Sequence, residues 1–344
     1  MVEDRHIVHN LAYQFRLCDF EWKSGHIFVI SLLQNCPSFF KTQITVLCLA
    51  EYSINYRVGI FGFFAHSELT KESAHHASGN YGLLDQVATL QWVHRNIAAF
   101  GGDPNNVTIA RQSAGSMSVN CLVASPLCKG LVKRAIAESG ASFLKGAFTG
   151  MPTLKMAEQA GLKTGASITD LRNMPAAELM KKQQGVRGAI IDGYVLPQSI
   201  AELFAAGKQN DVDLLTGWNE DDGVQFGKPK TAEEFKKQVE QEYGNDAGTF
   251  LKLYPAATDE EAAAAQAPLA RGMTFGIQNY TWANVQAENS KHKVYMYHFT
   301  RRLPATGGYV KYGAFHTGEV AYAYGNLAFV HRCRGNRLTT SWPQ

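Results

Sequence analysis

The feature that most limits the fold of this chain is an alternation running from Thr45 to Glu138. Short apolar runs, each long enough for one strand, take turns with segments of helical period, and turn residues separate them. Segment 45–64 (TVLCLAEYSINYRVGIFGFF) reads as one strand covered on both faces, broken by Gly59 and Gly62. Residues 80–100 predict an amphipathic helix, because Leu83, Leu84, Val87, Leu90, Val93 and Ile97 recur at three- and four-residue steps. FGGDPNN (100–106) predicts a turn and VTIA (107–110) a short strand. A helix is expected from about Ala114, and the next strand within 131–138. Strand, turn and helix in this order specify an α/β domain on a mostly parallel sheet with helices on its faces.

The rest of the chain extends the pattern. Residues 151–211 are mixed and mostly helical, and DLLTGWN (213–219) predicts a strand that ends in a polar loop. Thr231 with Glu234, and Thr258 with Glu261, are capping-box patterns that open a helical layer over 231–290. VYMYHFT (294–300) predicts a strand by its aromatic and β-branched content. Residues 1–43 show no sustained period, although HIFVISLL (26–33) is apolar and long enough for one strand beside 45–58.

With 344 residues, 45% apolar and 18% charged, the chain can bury a large core and is not of disordered composition. A net charge of +3 is too small to argue for nucleic acid or an anionic membrane. The longest apolar runs fall short of the roughly 20 residues of a membrane helix, so no transmembrane segment is expected. No signal peptide is readable, which leaves the cytoplasm as default, or secretion if the true N-terminus lies upstream. The six cysteines form no C-x-x-C and no Cys/His zinc spacing, and they are sparse for a disulfide framework. Cys121 and Cys128 are expected as small buried apolar residues. Asn106 and Asn279 begin glycosylation-type triplets, a pattern short enough to be coincidental.

Ser113 is the first candidate for chemistry. It stands in TIARQSAGS between a predicted strand and a predicted helix, where a sharp turn would push its hydroxyl out at the strand's carboxyl end. The Ala114 N–H would then point at the same spot from a helix N-terminus. The same three letters, S-x-G, also suit an ordinary helix-capping serine, and the local motif does not choose between the two.

The wider context does. INYRVGIFGFFAHSEL, ASGNYGLLDQVATLQWVHRNIAAFGGDPNNVTIA, QSAGS, AIAESGAS, DGYVLP, TGWNEDDG and YGAFHTGEVAYAYGNL together resemble the type-B carboxylesterases, which have the α/β-hydrolase fold. The resemblance covers roughly residues 45–327, and residues 1–44 and 328–344 read as atypical ends. It implies a carboxylic-ester hydrolase with Ser113 as nucleophile, Asp222 as the acid and His316 as the base, in the chain order such a triad takes. Within Glu220-Asp221-Asp222 the assignment of the acid is open by one position. Ser139, in ESG, is implied as a hydroxyl supporting the triad, with a plain strand-end serine as the alternative. No metal and no organic cofactor is implied, and the partner is a small-molecule ester.

Three departures from the family pattern bear on activity, the atypical ends being one of them, and Thr317 is a further local mismatch. No H-G-G-G-type loop is found in residues 1–51, which leaves the Ala114 N–H as the expected oxyanion donor. Arg111 stands where the elbow takes glycine, so its side chain is expected to snorkel out or to shift Ser113. Thr317 stands where glycine is usual after the histidine. These departures keep open a catalytically silent binding relative, or an inactive fragment, as the alternative.

Overall fold

The computed structural model describes residues 26–33, 49–144, 150–182, 188–223, 229–304 and 312–324. Six strands among them form one sheet: β1 (His26–Leu33), β2 (Leu49–Asn55), β3 (Gly102–Gln112), β4 (Arg134–Glu138), β5 (Asp213–Asn219) and β6 (Val294–Phe299). Their order is β2-β1-β3-β4-β5-β6. From β3 to β6 each neighbouring pair is parallel, and β1 runs antiparallel to both β2 and β3. The expected α/β class with a mostly parallel sheet is therefore what forms.

The helix Tyr81–Asn96 buries Leu83, Val87, Leu90 and Val93, and a following 3-10 turn buries Ile97. These side chains join Ile109 of β3, Val119 and Leu122 of the helix Ala114–Ala124, and Leu214 of β5 in the main core. Phe143, Phe204 and Trp282 extend this core, with the first two rings edge to face at 5.0 Å. Cys121 and Cys128 are buried free thiols, and burial pushes both up to about 12. The helices Ala232–Tyr243, Ala247–Leu253 and Asp259–Arg271 carry a smaller core of their own around Phe235, Val239 and Ala262.

Several local expectations change. Segment 45–64 supplies an antiparallel strand at the sheet edge and not a doubly covered parallel one; Tyr52, Ser53 and Ile54 are only half-buried. An apolar run fits either role, and pairing direction is set by the rest of the sheet. The turn expected at 100–106 survives as an irregularity inside β3: Gly102 pairs with Leu33 and Val107 with Ser31, so the register shifts across 103–106, where Asn105 N donates to Asp103 Oδ1 at 2.9 Å. Thr231 forms a full capping box, whereas Glu261 accepts from Ala257 N and not from the cap residue Thr258. Asn279 is buried and donates to Thr216 Oγ1 at 2.7 Å, which removes it as a glycosylation acceptor in the folded chain.

Candidate functional site

The parallel strands end on one side of the sheet, and the polar groups gather there. Directly after β3, Ser113 takes φ 60° and ψ −127° and leads into the helix Ala114–Ala124. A positive φ costs a non-glycine residue on the order of 1–2 kcal/mol, so the surroundings must hold it. Ser113 N donates to Glu138 O at 2.8 Å, and Ser113 O accepts from Met117 N at 3.0 Å. Gly140 leaves room for the turn, since a Cβ there would lie 2.5 Å from Ser113 O. Ser113 is half-buried and Ala114 exposed.

His316 and Asp222 arrive on loops that follow β6 and β5. The His316 Nε2 lies 2.7 Å from Ser113 Oγ and accepts a hydrogen bond from it, while Nδ1 donates to Asp222 Oδ1 at 2.7 Å. Asp222 is fully buried. Its second oxygen accepts from Ser139 Oγ and from Asn219 N, each at 2.8 Å. Burying a carboxylate is costly unless its oxygens are hydrogen-bonded, and three donors meet that need here. The three acids of the run make different contacts. Asp221 accepts from Ala314 N at 2.8 Å, and Glu220 pairs with Arg271 at 3.2 Å and His298 at 2.9 Å. Of the three acids, Asp222 is the one that reaches His316.

Gln112 Nε2 sits 3.3 Å from His316 Nε2 and 3.4 Å from Nδ1. Both ring nitrogens already have in-plane partners. A point in the ring plane at those distances would also collide with Cε1. The amide therefore approaches a face of the ring, a weak N–H···π contact and not a hydrogen bond to either nitrogen.

Arg111 does not snorkel out. It is 5% exposed, and its stem fills the space that Gly115 leaves open: a Cβ on Gly115 would fall 1.7 Å from Arg111 Cγ. Burial lowers the Arg111 guanidinium, and neighbouring Tyr324, Tyr56 and Glu138 favour its charge. Glu138 and Glu319 are buried beneath the triad. Burial raises Glu138 well above the usual carboxyl range, with repulsion from Glu319 adding to it and Arg111 opposing it. Burial also carries Glu319 to about 8, against a hydrogen bond from Asn219 Nδ2 and with repulsion from Asp222. Thr317 holds φ 78°, which explains why glycine suits that position.

Asn219 and Glu319 stand inside the segments that carried the resemblance, yet their residue types alone give no hint of a role. Gln112 is known only from the elbow context. Residues 1–25, 34–48, 305–311 and 325–344 lie outside the described residues, and with them most of the stretch searched for an oxyanion loop, as well as Cys18, Cys36, Cys48 and Cys333. Among the described residues no group of three or more His, Cys, Asp or Glu side chains is arranged to hold a metal ion, and no helix is long and apolar enough to cross a membrane.

A parallel sheet whose strand ends present a strained serine turn, a histidine loop and a carboxylate loop, in the order Ser113, Asp222, His316, defines an α/β-hydrolase fold. The chain belongs to the carboxylesterase family, whose family model matches residues 42–335. Fumonisin B1 esterase of Sphingopyxis macrogoltabida is 36% identical over 292 residues, which is 80% of this chain and 52% of that protein. Para-nitrobenzyl esterase of Bacillus subtilis (strain 168) is 32% identical over 308 residues, 83% of this chain and 59% of that one. A solved PNB esterase superposes with a TM-score of 0.70 at 30% identity, covering 86% of this chain and 61% of the other. The chain thus spans between half and two-thirds of the length of these relatives.

Proposed function

We propose that the protein hydrolyses carboxylic esters, with Ser113 as nucleophile, His316 as general base and acid, and Asp222 as the residue that orients His316. The observation that carries this reading is the unbroken hydrogen-bond chain from Ser113 Oγ through His316 to Asp222, at 2.7 Å in each link. As Ser113 Oγ attacks the ester carbonyl, His316 Nε2 takes its proton, and the imidazolium that forms is stabilised by Asp222. His316 then returns the proton to the departing alcohol, leaving an acyl-serine. Water then attacks the acyl carbonyl as His316 takes its proton, and the bond to Ser113 Oγ breaks as His316 returns that proton to Oγ, releasing the acid and restoring the serine. The Ser139 hydroxyl and the Asn219 backbone N–H fix the Asp222 carboxylate so that one oxygen stays aimed at Nδ1. Ala114 N–H, at the start of a helix, supplies one donor to the oxyanion.

The substrates that suit this site best are activated esters of short acids, such as aryl acetates and butyrates. A good leaving group needs less stabilisation of the oxyanion, so it depends least on the number of donors. The test is a fluorophosphonate probe together with 4-nitrophenyl acetate turnover. Wild-type protein should label at Ser113 and turn over, Ser113→Ala should do neither, and Asp222→Asn should lose about 10⁴ in kcat. Absence of labelling on folded wild-type protein would favour a silent binding relative, and faster cleavage of an amide than of an aryl ester would refute the substrate class.

A further inference from the structure

Between the helices Asp259–Arg271 and Ile277–Asn289, residues Gly272–Gly276 form a single π-turn. An extra residue in a helical turn weakens its hydrogen bonding and rotates the side chains that follow, so such turns are kept where the rotation delivers something. The cost is met locally. The fully buried Gln278 donates its amide to Met273 O and Leu144 O, each at 3.2 Å, and its Oε1 accepts from Phe143 N and Leu144 N. The turn is also tied to the acid loop. Arg271 donates to Glu220 O and pairs with the Glu220 carboxylate, and Gly276 lies against the Trp218 indole, 3.5 Å from where a Cβ would stand.

What this braced turn delivers is Phe275. Its side chain is buried and its ring stacks on the His316 imidazole, with centroids 4.6 Å apart and planes 29° from parallel. We propose that Phe275 is a positioning residue: its ring clamps the face of His316 and holds the imidazole in the plane that joins Ser113 to Asp222. The proposal rests on the ester-hydrolase reading above. The need for a clamp follows from the reaction. In the resting site two in-plane hydrogen bonds locate the ring. Once Ser113 is acylated its Oγ has no proton to give, and the bond that fixed Nε2 is lost. The ring could then swing about its Cβ–Cγ bond and lose the line that activates water. A face contact resists that swing without using either nitrogen. Misplacement of a reacting group by about 1 Å can cost up to about 10² in rate.

The experiment compares wild type with Phe275→Leu, which keeps bulk and deletes the ring, and Phe275→Tyr, which keeps the ring. Two readouts are taken: kcat and KM for 4-nitrophenyl acetate, and the His316 Cε1–H resonance in ¹³C-histidine-labelled protein, assigned with His316→Gln. Phe275→Leu should lower kcat about tenfold or more while KM moves less than about twofold, and Phe275→Tyr should restore kcat. The His316 resonance, shifted upfield by the stacked ring, should move downfield in Phe275→Leu and stay in Phe275→Tyr. If the leucine variant fails to fold, Phe275→Met makes the same comparison. An unchanged kcat, an unchanged His316 resonance, or a failure of the tyrosine variant to restore kcat would each overturn the proposal. Wild-type turnover no greater than that of Ser113→Ala would instead defeat the ester-hydrolase reading, and the resonance comparison would still decide whether Phe275 holds the ring.

Discussion

Glu319 gives the sharpest test of the buried charges beneath the triad. Its Oε2 accepts from Asn219 Nδ2, while Oε1 is buried with no hydrogen-bond partner among the described residues. Burial, and repulsion from Asp222, raise its carboxyl to about 8. Glu138 and Tyr297 also interact with it, and the burial of Tyr297 raises that phenol as well. In the unfolded chain the same carboxyl titrates near 4.5. Between these two values the folded protein holds a proton that the unfolded chain has released. Stability therefore falls as pH rises through that window, by about 1.4 kcal/mol per pH unit for one proton. From pH 5 to pH 8 the loss is about 4 kcal/mol, and below pH 4.5 this group has no effect. Glu319→Gln keeps an oxygen for Asn219 and cannot ionise. Urea unfolding of both proteins at pH 5 and pH 8 is the assay. The wild type should lose about 4 kcal/mol more than the variant over that range, and the variant should be the more stable of the two at pH 8. Equal losses in the two proteins would show that the carboxyl is ionised throughout, and the reasoning would fail.

Three further substitutions probe the strand–helix elbow and the histidine loop. Thr317→Gly should raise stability by about 1 kcal/mol, because a β-branched residue at φ 78° is strained and glycine is not; a lower urea midpoint would contradict this. Arg111→Gly should lower stability by at least about 1 kcal/mol, since the arginine stem occupies space that Gly115 leaves for it and glycine weakens a strand; a gain would restore the reading of Arg111 as a steric intruder. Gly115→Ala should be far more costly in the wild type than beside Arg111→Gly, and additive effects would deny that the two residues share that space.

Much of this molecule was legible in its sequence because the signals are local. The helix at 81–96 follows from apolar spacing, and β5 and β6 from short runs rich in strand-forming residues with a clear end. Ser113 was legible as a candidate because a strand, a small-residue turn and a helix are contiguous in the chain. The direction of β2 was not legible, since hydrophobicity reports burial and not the neighbour's polarity. Nor was the fate of Arg111, which depends on a glycine four residues on and on tyrosines from distant segments. By itself the sequence determined the class of fold, the order of its elements and the small set of residues able to do chemistry. Which of three adjacent acids meets His316, which carboxyls are buried together, and which ring lies on the imidazole were decided only by the tertiary structure. Those choices turn on distances of a few ångströms between segments up to about two hundred residues apart, and hydrogen bonding and burial act on distance in space, to which spacing along the chain is blind.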